Sequence, residues 1–380
     1  MAKLGEVCKV SPSTKNIERQ GAWLLNLDMV EQQTGRVIEY KYVGEDDLNG
    51  SIIQFDTENV LYSKLRPNLN KVVLPPKDGF STSELLPLRP DASVLNKDYL
   101  AAFLRSDSFV TWAVSKTAGA KMPRLGTKDL MNAEIPVPSI EQQKKIAEKF
   151  KKLEQLISLR KQQLAKLDEL VKARFVEMFG DCKTNPKNWK TKALEKIANV
   201  GSSKRVFVEE LQDSGIPFYR GTEIGALAEK KAVIPALFIT EEHYKQLCET
   251  TGKPQKGDLL MPSICPDGRI WIVDTDEPFY FKDGRVLWVH LTSANYNSVF
   301  LLYTLKDRIM TDYASIASGT TFAELKIFAL KKCKIFDVPL ELQNQFANFV
   351  ERVDQQKQTV QQSLEKLKLV KKALMQEYFG

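Results

Sequence analysis

The chain contains one long segment twice, at an offset of 200 residues. Residues 141–180 and 341–380 align without a gap and share 13 identities in 40 positions. Matches at the same offset continue upstream, for example Gly119 with Gly319, and a Val-Pro pair precedes each copy. This period is far longer than the roughly 20–50 residues of solenoid repeats. We therefore predict two copies of one globular module, each followed by a long helix.

The modules have the sequence pattern of mixed α/β structures. Each contains short β-rich runs, such as Val60-Leu61-Tyr62, and one longer helical stretch, at 97–115 and 295–315. Asp78-Gly79 and Asp283-Gly284 lie between apolar runs. Both pairs predict hairpin turns, because Asp and Gly tolerate positive φ.

Both repeated segments have the features of a long helix. A proline lies just before each segment, a glycine closes it, and helix-forming residues run between them. Apolar residues recur in steps of three and four, which is the coiled-coil period. The predicted seam residues are Ile146, Phe150, Leu153, Ile157, Leu164, Leu167, Val171, Phe346, Val350, Val353, Val360, Leu364, Leu367 and Leu374. Four cations also fall on the seam: Arg160, Arg174, Lys357 and Lys371.

Chain direction restricts how the two helices pair. The first leads into the second module and the second starts beside that module, so a paired second helix must run back. We predict an α/β fold with two homologous mixed α/β domains, separated by two long antiparallel helices that form a coiled coil with a pseudo-two-fold internal repeat. The predicted boundaries are 1–140, 141–180, 181–340 and 341–380. The alternatives are that each helix packs onto its own module, or that both mediate homodimerisation.

Composition excludes several classes of function. Hydrophobic residues make up 43% of the chain and charged residues 27%, as in ordinary globular proteins. Two histidines and five widely spaced cysteines argue against a multi-histidine site, a disulfide framework or a thiolate zinc site. No apolar run approaches the ~18 residues of a membrane span, so we expect a soluble, cytoplasmic protein. Phosphate-binding, dinucleotide-binding, zinc-protease and serine-hydrolase motifs are absent. We expect a non-catalytic protein with no cofactor and no metal.

Several local motifs accompany the duplication. The run 60–71 (VLYSKLRPNLNK) is followed by 78–84 (DGFSTSE), residues 119–125 read GAKMPRL, and Trp189-Lys190 opens the second module. In this duplicated order the segments resemble the specificity (S) subunit of Type I restriction–modification enzymes, over essentially the whole chain. The second module departs from the pattern, because residues 263–266 read Ser-Ile-Cys-Pro where the first has Lys-Leu-Arg-Pro.

This resemblance implies a non-catalytic subunit of an adenine methyltransferase and endonuclease complex. Each module would be a target recognition domain that reads one half of a bipartite sequence in double-stranded DNA, and the helices would set the spacer between the halves. The helices would also dock modification (M) subunits, two in number, and restriction (R) subunits would join through the complex. No membrane partner is implied. The alternative is a structural scaffold that uses the duplicated helices for homodimerisation, without DNA binding.

Loop side chains that can hydrogen-bond to base edges are the candidate DNA contacts. Arg can donate two hydrogen bonds to guanine, and Asn or Gln can form two with adenine. The first module offers Lys64, Arg66, Asn68, Asn70, Lys71, Lys121 and Arg124. The second offers Arg220, Thr222, Ser263, Asp267, Arg269, Thr320 and Thr321. The alternatives are a solvated β-edge for the group at 64–71, and an ion pair with an acidic neighbour for Arg269.

The net charge of +7 lies mostly on the long helices. Residues 1–140 hold 17 basic and 17 acidic side chains, and residues 181–340 hold 22 and 20. Residues 141–180 hold 10 basic and 6 acidic side chains, and residues 341–380 hold 6 and 5. We therefore expect recognition to depend on local loops, and the isolated chain to bind DNA weakly.

Overall fold

A computed structural model shows two compact units. It describes residues 1–44, 48, 51–119, 121–319 and 323–380. Unit 1 comprises Met1–Gln163 with Val360–Gly380, and unit 2 comprises Leu164–Thr359. Each unit therefore contains one module together with parts of both long helices.

Each repeated segment is a single helix of 40 residues, Ile140–Phe179 and Leu340–Phe379. The first begins with a reciprocal cap. The Ser139 hydroxyl accepts the Gln142 N–H at 3.4 Å, and the Gln142 side-chain oxygen accepts the Ser139 N–H at 3.3 Å. Gly180 follows with a positive φ of 85°, a conformation that commonly ends helices. Both helices lie within one residue of the predicted ranges.

In unit 1 the two long helices run antiparallel. The Phe150 ring stacks on Phe379, with centroids 5.8 Å apart. Farther along, Arg160 Nε donates to Ser363 Oγ at 3.2 Å, so residue numbers rise in one helix as they fall in the other. Phe379 also contacts Phe103 of the module, at a centroid distance of 5.8 Å. The module therefore packs against the start of one long helix and the end of the other.

Unit 2 repeats this arrangement with the other halves of the helices. Phe346 lies edge-on to Phe175, with centroids 5.5 Å apart, and Lys357 pairs with Asp168 farther along. Phe346 also contacts Tyr303 of the second module, at 5.2 Å. The antiparallel pairing predicted from chain direction is confirmed within each unit.

The residues predicted for the seam all lie in the two long helices. All fourteen predicted seam residues are buried or half-buried. The seam cations have polar partners: Lys371 pairs with Glu154 of the other helix at 2.8 Å, and Arg174 pairs with Glu177 of its own helix at 2.8 Å. The described helices include none that is long and apolar enough to cross a membrane.

The described residues of the first module form short strands and four short α-helices. Its strands are Ala2–Lys3, Cys8–Val10, Ala22–Leu25, Lys41–Val43, Ile52–Phe55, Val60–Ser63, Val72–Val73, Gly79–Thr82, Leu85–Pro90 and Glu134–Ile135. Its α-helices are Leu4–Val7, Lys97–Leu104, Asp107–Ser115 and Thr127–Met131, with 3₁₀ turns at Leu27–Met29 and Pro67–Leu69.

The second module has the same kinds of elements in a similar order. Its strands are Thr191–Ala193, Ala198–Gly201, Ile216–Tyr219, Phe238–Ile239, Leu259–Pro262, Trp271–Ile272, Tyr280–Phe281, Val286–Leu291, Ala317–Ser318, Glu324–Leu325 and Lys334–Phe336. Its α-helices are Gly221–Ala228, Glu241–Thr251, Ser298–Ile316 and Ile327–Lys331, with 3₁₀ turns at Leu194–Lys196 and Val208–Glu210.

The main sheet of each module has the same four-strand antiparallel topology. In unit 1 the strand order is Cys8–Val10, Leu85–Pro90, Val60–Ser63 and Val72–Val73. In unit 2 it is Ala198–Gly201, Val286–Leu291, Leu259–Pro262 and Trp271–Ile272. A second sheet in each unit contains one parallel pair, with Leu24 opposite Phe80 and Phe218 opposite Tyr280. Two homologous mixed α/β domains are thus confirmed.

The hairpins predicted at Asp78-Gly79 and Asp283-Gly284 are wrong. Gly79 begins a strand, and a Cβ there would lie 2.7 Å from the Trp23 carbonyl oxygen, so the glycine permits a close approach of two strands. Gly284 does have a positive φ of 62°. However, the flanking strands Tyr280–Phe281 and Val286–Leu291 belong to different sheets. The Asp-Gly pattern indicates local backbone freedom and carries no information about distant strand partners.

A buried glutamine joins the first long helix to its module. Gln143 is fully buried, and its side-chain oxygen accepts the Asn96 N–H at 2.8 Å. Its amide nitrogen donates to the carbonyl oxygens of Val94 and Pro138 at 2.9 and 2.8 Å. The three bonds satisfy backbone groups of the segment that precedes helix Lys97–Leu104 and of the segment that precedes the long helix.

Gln343 does the same in unit 2. It accepts the Asn297 N–H at 2.9 Å and donates to the carbonyl oxygens of Asn295 and Val338 at 3.1 and 2.9 Å. The identity of Gln143 and Gln343 in the repeat therefore has a structural cause, since another side chain would leave buried backbone groups without partners.

We expect Gln143→Met to lower the free energy of unfolding by about 2–4 kcal/mol, because it leaves buried N–H and C=O groups unsatisfied while nearly preserving side-chain volume. Urea unfolding measures the change. Gln162→Met, at an exposed position of the same helix, is the control and should change stability by less than about 0.5 kcal/mol. Equal effects of the two substitutions would contradict this role.

Candidate nucleic-acid interface

Two loops of module 1 that are distant in sequence lie side by side. The loop 64–71 follows strand Val60–Ser63, and the loop 117–125 precedes helix Thr127–Met131. The Leu125 N–H donates to the Lys64 carbonyl at 2.9 Å, and the Arg66 N–H donates to the Pro123 carbonyl at 2.8 Å. The two groups of candidate residues in module 1 therefore share one surface.

Four candidates in these loops have side chains available to a ligand. Arg66, Asn68 and Lys121 are exposed, and Lys64 is half-buried. Among the described residues, none forms an ion pair with the side chain of Lys64, Arg66 or Lys121. Within the described ranges, these three cations therefore have no ion pair to break before they bind an anion.

Asn70 and Lys71 are instead held by the module itself. Asn70 is buried and its Nδ2 donates to the Arg105 carbonyl at 3.0 Å. The Lys71 ammonium donates to the Leu27 carbonyl. Burial lowers the pKa of Lys71, and Asp28 opposes that shift. Both side chains stabilise the base of the loop in this structure.

Arg124 is paired with a carboxylate of the same surface. Its Nη2 lies 3.1 Å from Glu84 Oε1 and its Nε lies 3.3 Å from the same oxygen. The Glu84 carbonyl also accepts the Lys64 N–H at 3.1 Å. The Arg124 side chain is about half exposed, so it remains in contact with solvent while it pairs with Glu84.

A third loop, 31–36, completes the surface and was missed by the sequence analysis. The Gln33 N–H donates to the Leu69 carbonyl at 3.0 Å, and its side-chain amide donates to the Asn68 carbonyl at 2.9 Å. Gln33 is exposed and can present its amide to a base edge. The sequence signal available was the polar run Gln32-Gln33-Thr34-Gly35, which shares no motif with the loops it joins.

Strained backbone is concentrated at this surface. Six non-glycine residues of the described ranges have positive φ, and Gln33, Arg66 and Asn70 are three of them, at 64°, 49° and 49°. Asn tolerates this region, but Arg and Gln do so at a cost of order 1 kcal/mol. Such strain persists where surrounding contacts impose it, and it clusters at functional sites.

Module 2 builds the corresponding surface from loop 262–269 and the hairpin 317–325. The Leu325 N–H donates to the Ser263 carbonyl at 2.7 Å, as Leu125 does to Lys64. The Ser263 side chain is buried, so its contribution here is through the backbone. Thr320 and Thr321 lie outside the described residues.

The other candidates of module 2 are paired with neighbouring carboxylates. Arg220 Nη2 lies 2.7 Å from Glu223 Oε1, and the Thr222 hydroxyl donates to Glu223 Oε2 at 2.8 Å. Burial opposes ionisation of Glu223, but the hydrogen bonds from Arg220 and Thr222 outweigh it and lower the pKa of Glu223 to about 2. Arg269 pairs with Asp267 at 2.8 Å, as the alternative for Arg269 expected.

The two surfaces carry the same ion pair with its charges exchanged. In module 1, Glu84 beside the central strand pairs with Arg124 of the hairpin loop. In module 2, Arg285 occupies the strand position and pairs with Glu324 of the hairpin. The backbone contacts match as well, since the Glu84 and Arg285 carbonyls accept the N–H groups of Lys64 and Ser263. The scaffold is retained while the side chains on it differ.

The described ranges hold no group of three or more His, Cys, Asp or Glu side chains placed to bind a metal ion. Burial raises the pKa of the Cys8 thiol to about 12, and burial followed by the Asp267 charge does the same for Cys265. Both thiols therefore remain protonated at neutral pH and are weak nucleophiles.

Comparison with known families matches nearly the whole chain. A family model described as "Type I restriction modification DNA specificity domain" matches residues 1–169 and 186–369. The two matches cover both modules and most of both long helices.

The chain is similar to several specificity subunits. It is 24% identical over 408 residues to the Type I restriction enzyme MjaIX specificity subunit of Methanocaldococcus jannaschii, covering 98% of this chain and 90% of that protein. It is 23% identical to the MjaVIII specificity subunit of the same organism, covering 79% and 73%. The similarity to the EcoDI specificity subunit of Escherichia coli, 27% over 124 residues, spans only 33% of this chain and 27% of that protein.

Two solved structures share the fold. One is a chain from a study of complex assembly and conformational transition of the type I R-M system, with a TM-score of 0.61, 18% identity and coverage of 100% and 96%. The other is the Type I restriction–modification S subunit from M. genitalium, with a TM-score of 0.59, 15% identity and coverage of 100% and 95%.

At neutral pH we expect Glu223→Gln to lower the free energy of unfolding by roughly 1–3 kcal/mol, allowing for screening of the half-exposed Arg220. The folded-state pKa of Glu223, about 2, lies below its ordinary value of 4.5. The stabilisation is therefore complete above about pH 5 and is lost as the pH falls through 4.5 toward 2.

Urea unfolding at about pH 7 and about pH 3.5 tests this dependence. The difference between wild type and Glu223→Gln should shrink at the lower pH. Glu242→Gln, at an exposed position of helix Glu241–Thr251, is the control and should have little effect at either pH. A difference for Glu223→Gln that is independent of pH would contradict the prediction.

Proposed function

The chain belongs to the Type I restriction–modification DNA specificity family, and from this we propose that it selects the DNA target of such a complex in the cytoplasm. In this proposal each module reads one half of a bipartite sequence in double-stranded DNA. The chain itself is non-catalytic, and its paired helices set the number of base pairs between the two half-sites.

The reversed ion pair is the observation that best supports recognition of two different half-sites. Glu84 and Arg124 in module 1 occupy the places that Arg285 and Glu324 occupy in module 2. Two identical half-sites would need the same groups at the same positions, whereas two different half-sites need one scaffold with different polar groups. The exchange therefore supports recognition of an asymmetric, bipartite sequence.

In module 1 the proposed contacts are the available groups of the three joined loops. Arg66 and Asn68 can each form two hydrogen bonds to a base edge, and Gln33 can read adenine in the same way. Lys64 and Lys121 suit phosphate oxygens, which position the protein without reading sequence. Asn70 and Lys71 would support the loop from beneath.

In module 2 the proposed contacts lie at the start of helix Gly221–Ala228 and in loop 262–269. Arg220 and Arg269 each keep an exposed edge beside a paired carboxylate, so they can bind a base while the carboxylate fixes their orientation. Asp267 can accept a hydrogen bond from the cytosine amino group. Thr222 is a further proposed contact, and Ser263 would contribute through its backbone. Thr320 and Thr321 remain predictions from the sequence alone.

The long helices are the proposed docking sites for modification subunits. In unit 1 they expose Leu156, Leu159 and Leu369, the last with 66% of its surface accessible. In unit 2 they expose Leu170 and Val176. Exposed aliphatic side chains on a helix favour a helical partner. Because each unit has such a surface, we expect two adenine-specific modification subunits, with restriction subunits joining through the complex.

The charge distribution agrees with DNA binding that depends on partners. Neither module has a large basic excess, and most of the net charge lies on the long helices. Phosphate contacts supply most of the affinity of DNA-binding proteins. We therefore expect the isolated chain to bind DNA weakly and the complex with modification subunits to bind it tightly.

Co-expression with an adenine methyltransferase subunit from the same operon tests the function. We expect the two chains to co-purify, and methylome sequencing to show methylated adenines in one motif with two specific halves and a non-specific spacer. Single-chain expression of the methyltransferase is the control and should leave the motif unmethylated. A stable homodimer that neither binds the methyltransferase nor yields a methylated motif would support the scaffold alternative instead.

We expect Arg66→Ala to relax selectivity at one base of one half-site by about 1–3 kcal/mol and to leave the other half-site unchanged. Methylation of oligonucleotides that differ at single positions measures this. Arg19→Ala removes an exposed arginine of the same module outside the three loops, and it should leave selectivity unchanged at both half-sites. Equal loss for both variants would show that Arg66 contributes only general charge.

A further inference from the structure

Arg105 is a buried cation beneath the recognition surface of module 1. It lies at the break between helices Lys97–Leu104 and Asp107–Ser115, and its side chain is 9% exposed. Its Nη2 and Nε donate to the Val72 carbonyl at 2.6 and 3.2 Å. Its own carbonyl accepts the Asn70 amide at 3.0 Å. Arg105 therefore holds the end of loop 64–71 from two directions.

The other edge of the same guanidinium reaches the long helices. Arg105 Nη1 lies 3.3 Å from Glu154 of the first long helix. Glu154 also accepts the Lys371 ammonium of the second long helix at 2.8 Å. Burial lowers the pKa of Arg105, and the charges of Glu154 and Asp98 oppose that shift. One connected network thus runs from the recognition loop to both helices of unit 1.

Loop 31–36 also packs against the Arg105 guanidinium. Gly35 has φ of 67°, and a Cβ there would lie 1.7 Å from the Val72 carbonyl oxygen and 2.9 Å from Arg105 Nη2. Loop 31–36, which carries Gln33, therefore rests directly on the bond between Arg105 and Val72. Movement of this guanidinium would displace two of the three loops.

Module 2 shows that the fold does not require this network. Counted from their helix caps, Asn96 and Asn297, Arg105 corresponds to Lys306, which is exposed. On the long helices, Lys371 corresponds to the buried Val171, and Glu154 corresponds to Asp354, which pairs with Lys230 instead. Module 2 therefore forms the same sheet topology without a buried cation at this place. A buried ion network is often no more stabilising than well-packed apolar residues of similar volume. Stability alone therefore does not explain the network in module 1.

We propose that Arg105, with Glu154 and Lys371, is a positioning residue that sets the orientation of the module 1 recognition loops relative to the long helices of unit 1. Arg105 touches no DNA in this proposal; it acts through the backbone of Val72 and Asn70. The inference rests on the proposed function, because it concerns how the same surface meets its half-site.

The test uses the reconstituted complex with Glu154→Ala, which removes the helix carboxylate and leaves every loop residue intact. We expect methylation of sites mismatched in the half-site of module 1 to rise roughly tenfold relative to the cognate site, as about 1.4 kcal/mol of lost discrimination. That half-site is the one altered by Arg66→Ala. The half-site of module 2 should keep its selectivity.

Two further variants separate positioning from stability. Glu148→Ala removes an exposed carboxylate from the same helix and should leave selectivity unchanged. Arg105→Leu replaces the cation with an apolar side chain, and we expect it to fold and to relax selectivity at the same half-site. Arg105→Lys keeps a charge and a donor for Val72 or Glu154, so it should recover part of the selectivity.

The outcomes distinguish the two levels of the proposal. If wild type yields no bipartite methylated motif, the proposed function fails and the inference falls with it. If wild type yields the motif but Glu154→Ala behaves as Glu148→Ala does, the positioning role is overturned and the function stands. An equal loss of selectivity at both half-sites, together with a lower Tm, would also overturn the positioning role, because the network would then be purely structural.

Discussion

The structure depends on each module being packed against two helix ends at once. In unit 2, Phe175 and Phe179 from the end of the first long helix meet Phe346 from the start of the second, and Phe300 of the module packs against Phe179 at a centroid distance of 4.8 Å. Such aromatic pairs contribute about 0.5–1.5 kcal/mol beyond the area they bury. A long helix with one apolar stripe is only marginally stable alone. Module and helices therefore stabilise one another as one unit.

In each module, the side that packs on the helices and the side that carries the loops have different roles. The core side of each module, with its buried glutamine and aromatic contacts, is nearly the same in both units. The loop side is free to vary, because its backbone is held by hydrogen bonds such as those from Leu125 and Leu325. The Glu84–Arg124 ion pair of module 1 can then be replaced by the reversed pair Arg285–Glu324 in module 2 without a change in the backbone contacts. A duplicated chain can thus present two different surfaces from one fold.

The sequence predicted the two modules and the two long helices because each depends on local pattern. Thirteen identities in 40 positions and a sustained heptad period need no tertiary information. The sequence analysis was wrong where the exposure of a side chain depends on residues that are distant in sequence. Asn70 was predicted to be an exposed loop residue, but its side chain is buried and donates a hydrogen bond to the Arg105 carbonyl. Gln33 was overlooked because its loop joins the surface only through backbone bonds to Asn68 and Leu69.

The sequence by itself determined that there are two homologous modules and two long helices, and that the paired helices must be antiparallel. Repetition and heptad period are one-dimensional properties that the chain carries along its length. Only the tertiary structure decided which polar groups remain available on the loops and which are used inside the protein. Arg66 and Asn70 are four residues apart in one polar run, yet one is exposed and the other buried. The reason is that hydrogen-bond partners for buried groups come from elements distant in sequence, and their positions follow from packing.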